Sequence, residues 1–269
     1  MTFGERLQAA VDQRGPLCVG IDPHASLLEE WGVGDTVDGL ERFALTVVEG
    51  VAPHASVVKP QSAFFERFGS RGIAVLERVV AESRAAGALV LLDVKRGDIG
   101  STSQAYADAY LDPTSPLASD AITVSPYLGF GSLDPFVDAA RKHDAGLFVL
   151  ALTSNKEGPE VQHAYVSEGG TVAGRMLDHL RRLNAEATTL GSFGAVVGAT
   201  IGTTEEDLAF NGPVLAPGFG AQGGTVHDIR RLFGSAALVL PSSSRDVLRL
   251  VDPTTMGEVV RATNHELRS

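Results

Sequence analysis

The sequence predicts a single (β/α)8 TIM barrel that spans residues 1–269 and begins with an N-terminal helix. Short apolar runs recur eight times, segments with helical spacing separate them, and the length suits one barrel. The runs do not alternate between apolar and polar residues, which is typical of parallel strands that are covered on both faces. A doubly wound open sheet is the alternative, but no G-x-G-x-x-G motif follows the first run.

Each predicted strand ends in polar residues, Gly or Pro, and the strands cover 17–21, 56–59, 88–93, 121–124, 147–152, 195–199, 214–216 and 237–240. Helical spacing marks 72–86, 133–143 and 172–189, and residues 1–15 form an amphipathic helix that leads into the first strand. The polar stretch 155–170 precedes a helix, and we expect an extended loop there at the functional face. No linker divides the chain, so we expect one domain.

The composition is that of a globular protein with a sizeable core, with 44% hydrophobic and 20% charged residues. A net charge of −11 argues against binding along a nucleic-acid backbone. The apolar runs are far shorter than the roughly 18 residues of a membrane span, and residues 1–15 lack the apolar core of a signal peptide. Cys18 is the single cysteine, and we expect it to be a small buried hydrophobe. These features predict a cytoplasmic protein with no nucleic-acid or membrane partner.

Charged residues cluster where three predicted strands end. Lys59 ends the second strand, and Asp93, Lys95 and Asp98 lie at the end of the third, while Asp22 follows the first. The carboxyl ends of barrel strands meet at the active-site face. Because side chains alternate along an extended segment, Asp93 and Lys95 are expected to face one space, with Lys59 arriving from the neighbouring strand. Buried charges are costly unless paired, and such clusters are enriched at functional sites, so we interpret this group as a catalytic centre.

A glycine-rich segment at 217–224 (PGFGAQGG) follows the seventh predicted strand, and Arg245 follows the eighth. Glycines let backbone N–H groups approach an anion, and the loops after strands seven and eight bind phosphate in many barrels. A guanidinium adds a bidentate, charge-assisted contact to such an anion. The pattern therefore predicts a phosphate site.

These residues resemble the orotidine 5′-phosphate decarboxylase family, and the chain looks like its longer bacterial form. The matching segments lie in the same order over most of the chain and are GIDPH at 20–24, VVKPQSAFFERFG at 57–69, LLDVKRGDIGST at 91–102, LTSN at 152–155 and PGFGAQGG at 217–224. The D-x-K-x-x-D segment with a Lys on the preceding strand is quite specific, although sugar-phosphate decarboxylases or aldolases on the same barrel resemble the family in the D-x-K-x-x-D part. Arg245 lies in SSSR, whereas shorter members of the family have a Gly-Arg-Ser-like segment. The assignment of the family's phosphate-binding arginine to Arg245 is therefore the least direct.

The resemblance implies decarboxylation of orotidine 5′-monophosphate to uridine 5′-monophosphate and CO2, the last step of de novo pyrimidine synthesis. It implies no metal or other cofactor and a homodimer with shared active sites. Lys59, Asp93, Lys95 and Asp98 would form an alternating charge array in which Lys95 protonates C6 of the pyrimidine. The other substrate contacts that it implies are Asp22 and Lys59 at the ribose, Ser154 or Asn155 at the pyrimidine, Gln222 and Arg245 at the phosphate, Pro217 and Gly223 in the glycine-rich loop, and Asp98 and Thr102 in the site of the partner subunit.

Three other functions stay open at this point. A sugar-phosphate decarboxylase or aldolase on the same barrel would need a Mg²⁺-binding acid where this chain has Leu91. A Schiff-base aldolase would use Lys59 or Lys95 as its nucleophile. A non-catalytic barrel that binds nucleotide phosphates would have no need of all four charges.

Overall fold

The closed barrel predicted from the sequence is confirmed. A computed structural model describes residues 1–167, 169–234 and 238–269. In these residues eight parallel strands pair in chain order, and the first also pairs with the last. The strands are β1 Cys18–Ile21, β2 Val57–Pro60, β3 Leu89–Arg96, β4 Ala121–Val124, β5 Gly146–Leu152, β6 Phe193–Val197, β7 Val214–Pro217 and β8 Val239–Ser243.

Helices connect the strands and cover the outside of the barrel. They are α1 Phe3–Arg14, α2 Ala25–Glu30, α3 Val37–Val51, α4 Ala63–Glu66, α5 Gly69–Ala85, α6 Gly100–Leu111, a 3₁₀ turn Phe130–Leu133, α7 Asp134–Lys142, α8 Pro159–Gln162, α9 Val172–Leu183, α10 Val226–Phe233, α11 Arg245–Leu248 and α12 Pro253–Arg268. Among the described residues, none of these helices combines the length and apolar character that crossing a membrane requires.

The strands are short and apolar on both sides because each side is buried against a different layer. Every residue of β1, β2, β4 and β6 is buried. On α3 the buried residues recur with helical spacing, including Leu40, Phe43, Val47 and Val51, so one face of this helix packs on the barrel. The alternate strand residues fill the barrel interior, where Phe148 is fully buried.

The N-terminal helix α1 closes the amino-terminal end of the barrel. Thr2 caps α1 in a reciprocal capping box with Glu5. Phe3 is 2% exposed and packs edge-on against Phe148, with 6.2 Å between the ring centroids. Gly146 leaves room for this ring, because a Cβ there would lie 2.3 Å from Phe3. The opposite, carboxyl end of the strands therefore carries the accessible site.

Two boundaries predicted in the C-terminal half of the chain are wrong. Helix α9 ends at Leu183 rather than 189, because the buried Asn184 amide donates to the carbonyls of Phe193 and Phe210. Strand β8 continues to Ser243 rather than ending at 240, and Pro241 lies within it. Position 237, the predicted start of this strand, lies outside the described residues.

Two other segments also differ in detail from the prediction. Strand β3 extends to Arg96 rather than ending at 93. The predicted loop at 155–170 contains the short helix α8 and a bridge between Tyr165 and Thr171, and its position 168 lies outside the described residues.

Candidate active site

A cavity of about 410 Å³ opens at the carboxyl ends of the strands. Most of the predicted site residues line it, namely Asp22, Lys59, Asp93, Lys95, Ser154, Asn155, Pro217, Gln222 and Arg245. Asp98, Thr102 and Gly223 do not belong to its lining. The location agrees with the active-site face of a TIM barrel.

Two ammonium groups and two carboxylates alternate in the wall of this cavity. The Lys95 Nζ donates to Asp93 Oδ1 at 2.6 Å, and the Lys59 Nζ donates to Asp93 Oδ2 at 3.4 Å. The Lys59 Nζ also lies 3.9 Å from Asp22 Oδ1. The predicted meeting of Lys59, Asp93 and Lys95 is present, and the fourth charge contributed by the same chain is Asp22 rather than Asp98.

The charges of Lys59 and Asp93 stabilise each other despite burial. Each side chain is only 7% exposed. Burial opposes a charge on Lys59, but the carboxylates of Asp22 and Asp93 outweigh it and raise the pKa of this lysine. Burial likewise opposes ionisation of Asp93, but Lys59 and Lys95 hold the pKa of its carboxyl below the ordinary value. Lys59 is therefore a stable ammonium group, which disfavours it as the nucleophile of a Schiff-base aldolase.

The backbone at Lys95 is not extended, so the predicted alternation of side chains is wrong at this residue. Its φ is 44°, in the left-handed region, which costs a residue other than glycine about 1–2 kcal/mol. The pairing of β3 with β4 shifts between Leu92 and Arg96, and this irregularity turns the chain. The next residue but one, Gly97, packs against the Ser125 carbonyl so closely that a Cβ at Gly97 would lie 2.4 Å from that oxygen. Lys95 nevertheless reaches Asp93 through this turn, and strain of this kind is concentrated at functional sites.

Asp98 and Thr102 lie outside the charged cluster of their own chain. Asp98 accepts a hydrogen bond from the backbone N–H of Ile99 at 2.8 Å and forms no ion pair within the described residues. Thr102 is exposed in the first turn of α6. Neither residue therefore belongs to the charged wall of this cavity.

The glycine-rich segment forms a tight loop after β7. Gly218, Gly220 and Gly223 have φ values of 98°, 77° and 95°, which favour glycine. The Asp246 carboxylate accepts the backbone N–H of Ala221 at 2.7 Å, and a Cβ on Gly220 would lie 2.0 Å from the same oxygen. This contact ties the loop to the start of α11, so the two predicted phosphate-binding elements are adjacent.

Ser154 and Asn155 both reach the cavity from the loop after β5. The Asn155 side chain accepts from Thr153 Oγ1 at 2.6 Å and donates to Glu157 at 3.1 Å. Ser154 lies against Gly198, where a Cβ would be 3.2 Å from the Ser154 Cβ. Both residues therefore remain candidates for contact with a ligand.

Several residues of the site escaped the sequence analysis. His24 lines the cavity, its ring packs against Phe64 at 4.2 Å between centroids, and burial lowers its pKa. The Ser244 hydroxyl is buried with no hydrogen-bond partner among the described residues and belongs to a cavity-lining residue. Gln61 accepts from Lys59 at 3.5 Å. His24 and Gln61 lie within the matching segments 20–24 and 57–69, and Ser244 lies in SSSR, but no individual role was predicted for these three.

Thr123 on β4 was also missed, and it is 1% exposed. Its hydroxyl donates to Asp93 Oδ1 at 2.7 Å. A threonine in a short apolar run is typical of any strand, so the sequence carried no signal for it.

Cys18 is fully buried in the barrel interior, as predicted. Burial raises the pKa of its thiol to about 12. Such a thiol is not the thiolate that nucleophilic chemistry requires. In the part of the chain that the structure describes, no three His, Cys, Asp or Glu side chains are grouped so as to hold a metal ion.

The fold and the cavity together define a TIM-barrel enzyme whose active site is built on paired lysines and carboxylates. A family model described as "Orotidine 5'-phosphate decarboxylase / HUMPS family" matches residues 15–253. The chain belongs to this family.

Individual relatives agree over nearly the whole length. The chain is 82% identical to orotidine 5′-phosphate decarboxylase of Nocardioides sp. (strain JS614), covering 99% of each. It is 65% identical to the Streptomyces coelicolor enzyme of the same name over 92% of this chain and 90% of that one. A Streptomyces avermitilis crystal structure, assigned to orotidine 5′-phosphate decarboxylase, superposes with a TM-score of 0.96 at 60% identity, covering 99% of this chain and 95% of that one.

Proposed function

We propose that this chain decarboxylates orotidine 5′-monophosphate to uridine 5′-monophosphate and CO2, in pyrimidine synthesis in the cytoplasm and without a metal or organic cofactor. The observation that carries the proposal is the pair of ammonium groups on the single Asp93 carboxylate, inside a cavity of about 410 Å³ at the barrel's carboxyl face. Family membership over residues 15–253 supports the same reaction.

The chemistry requires a positive charge beside C6 of the pyrimidine. When the bond from C6 to the carboxylate breaks, its electron pair stays on C6 and CO2 leaves. The Lys95 ammonium stabilises that negative charge and then transfers a proton from Nζ to C6, which leaves a neutral amine. Preorganised charge of this kind is usually the largest catalytic effect. The short contact of Lys95 with Asp93, 2.6 Å, supports Lys95 as the proton donor because it fixes the ammonium group in the cavity.

Asp93 has two roles in this proposal. It pairs with the Lys95 ammonium group, at 2.6 Å between Oδ1 and Nζ, and so holds the proton donor in place. We also assign to it a repulsion of the substrate carboxylate that disfavours the ground state. We rank the second role below the first, because the contribution of ground-state destabilisation is contested.

The other lining residues bind the parts of the nucleotide that do not react. We assign Asp22 and Lys59 to the ribose, and Ser154 or Asn155 to the pyrimidine. Gln222 and Arg245 hold the phosphate, with Pro217 and Gly223 shaping the loop beside them. Binding energy from the remote phosphate serves to orient and desolvate the reacting end.

We propose a homodimer in which Asp98 and Thr102 complete the site of the partner subunit. The exposed residues beside them support this, because Ile99, Tyr127 and Leu128 are 63%, 76% and 54% exposed. Ser125 donates its backbone N–H to the Arg96 carbonyl at 2.8 Å, so the two loops that carry these apolar side chains are neighbours. Exposed apolar side chains on neighbouring loops are consistent with an interaction site there.

Mixed subunits test the shared site. Lys95→Ala and Asp98→Asn subunits are expected to be inactive alone. In a hybrid dimer one site carries both defects and the other is intact, so activity should recover on mixing. Absence of recovery, with hybrids shown to form, contradicts the role of Asp98 in the partner subunit.

The reaction itself is tested by the loss of orotidine 5′-monophosphate absorbance with purified protein in EDTA. Turnover is expected without added metal. Loss of activity in EDTA indicates the Mg²⁺-dependent class, and borohydride trapping with a carbonyl substrate indicates a Schiff-base aldolase. Tight binding of uridine 5′-monophosphate with no turnover indicates a binding barrel.

A further inference from the structure

Thr123 connects the two residues that carry the proposed chemistry. Its Oγ1 donates to Asp93 Oδ1 at 2.7 Å and accepts the backbone N–H of Lys95 at 2.9 Å. The same carboxylate oxygen receives the Lys95 Nζ at 2.6 Å. The hydroxyl, the carboxylate and the lysine thus form a closed ring of hydrogen bonds.

The position of Thr123 makes this ring rigid. The residue is 1% exposed, lies on β4 and is β-branched, so its side chain has little rotational freedom. Hydrogen bonds inside a low-dielectric interior are electrostatically stronger than in water, and a missing one is costly. The backbone N–H that Thr123 accepts belongs to the residue with φ of 44°, and regular pairing between β3 and β4 is interrupted there.

We propose that Thr123 is a positioning residue that holds Asp93 and Lys95 in register for proton transfer. This inference rests on the proposed function. Through its acceptor lone pair the hydroxyl keeps Lys95 in its left-handed backbone conformation. Through its proton it turns Asp93 Oδ1 toward the Lys95 ammonium, while Oδ2 faces Lys59.

Removal of the hydroxyl should act on the ionisation of Asp93. The charged groups that face this carboxylate are Lys59 from β2 and Lys95 from β3, with Asp22 behind Lys59. Thr123 adds a donor to the charged form of Asp93, which lowers the pKa of its carboxyl. Activity that needs ionised Asp93 is lost as the pH falls through that pKa. Without the donor the pKa rises, so the acid limb of the pH profile moves to higher pH.

The test compares Thr123→Val, which keeps the shape and removes the hydroxyl, with Thr123→Ser, which keeps the hydroxyl. For Thr123→Val we expect kcat to fall about tenfold to a hundredfold and KM to change less than about threefold. The acid limb of the kcat–pH profile should move to higher pH by about one unit. For Thr123→Ser, both kcat and the acid limb of the pH profile should stay near the wild-type values. If the valine variant does not fold, Thr123→Ala against Thr123→Ser gives the same comparison.

Thr36→Val is the matched control. Thr36 caps α3 by accepting from Gly39 at 3.1 Å, so its loss lowers the melting temperature without moving the pH profile. The positioning role is overturned if Thr123→Val leaves the acid limb of the pH profile unmoved. It is also overturned if Thr123→Ser lowers kcat as much as Thr123→Val does. Those results concern Thr123 alone, whereas an inactive wild-type protein overturns the proposed reaction.

Discussion

Replacement of Lys95 by alanine separates the proposed chemistry from the stability of the fold. Asp93 keeps Lys59 at 3.4 Å and Thr123 at 2.7 Å in the variant, so its buried carboxylate stays paired. The Lys95 side chain is 45% exposed, and a pair that exposed contributes at most about 1 kcal/mol to folding. The melting temperature should therefore fall by no more than about 4 °C.

The loss of activity should be far larger. A positioned general acid contributes about 10²–10⁴ in rate, and a preorganised charge about 10²–10³. Lys95 supplies both, so we expect kcat to fall at least about 10⁴-fold, or about 5.5 kcal/mol. Lys59 cannot substitute, because its ammonium lies on the other oxygen of Asp93.

The measurement is the rate of orotidine 5′-monophosphate decarboxylation at saturating substrate, beside the melting temperature of the same sample. Lys142→Ala is the control, since Lys142 is an exposed residue at the end of α7. A Lys95→Ala protein that keeps more than about one hundredth of kcat, a loss under about 2.7 kcal/mol, would refute the proton-donor role.

Two further contacts give expected outcomes. Asp246→Ala frees the Ala221 N–H and should raise KM for the nucleotide several-fold with little change in kcat. Asp246→Asn keeps an acceptor oxygen, so its KM should stay near the wild-type value. Steady-state kinetics measure both, and equal KM values for all three proteins contradict a role for the contact. Asp120 is 4% exposed and accepts from Arg6 at 2.5 Å and from the Val90 N–H at 3.0 Å, so Asp120→Ala should cost about 3 kcal/mol and lower the melting temperature by about 6–12 °C. Calorimetry checks the second outcome, and an unchanged transition contradicts the contribution to stability that is assigned to these contacts.

The barrel and the charged cluster could be predicted because both follow from local pattern and simple geometry. Apolar runs without alternation indicate doubly covered strands, and the carboxyl ends of such strands converge, which brings Lys59 to Asp93. The end of β8 could not be predicted in the same way. Pro241 has no N–H for a strand ladder, and only the pairing of residues 241–243 with β7 and β1 in the closed barrel shows that the strand continues.

Other features depend on partners distant in the sequence. The left-handed backbone of Lys95 is stabilised by Thr123, which lies on the next strand. The early end of α9 depends on hydrogen bonds from Asn184 to Phe193 and Phe210. Neither helix nor strand propensity encodes such contacts, so these are the points where tertiary structure overrides the local signal.

The contact of Phe3 with Phe148 at the closed end of the barrel has a consequence for how ligands enter and leave. Because α1 closes the amino-terminal end, substrate entry and the release of both products in the proposed reaction take place at the carboxyl end of the strands. Product release and the binding of the next substrate therefore use the same face of the barrel.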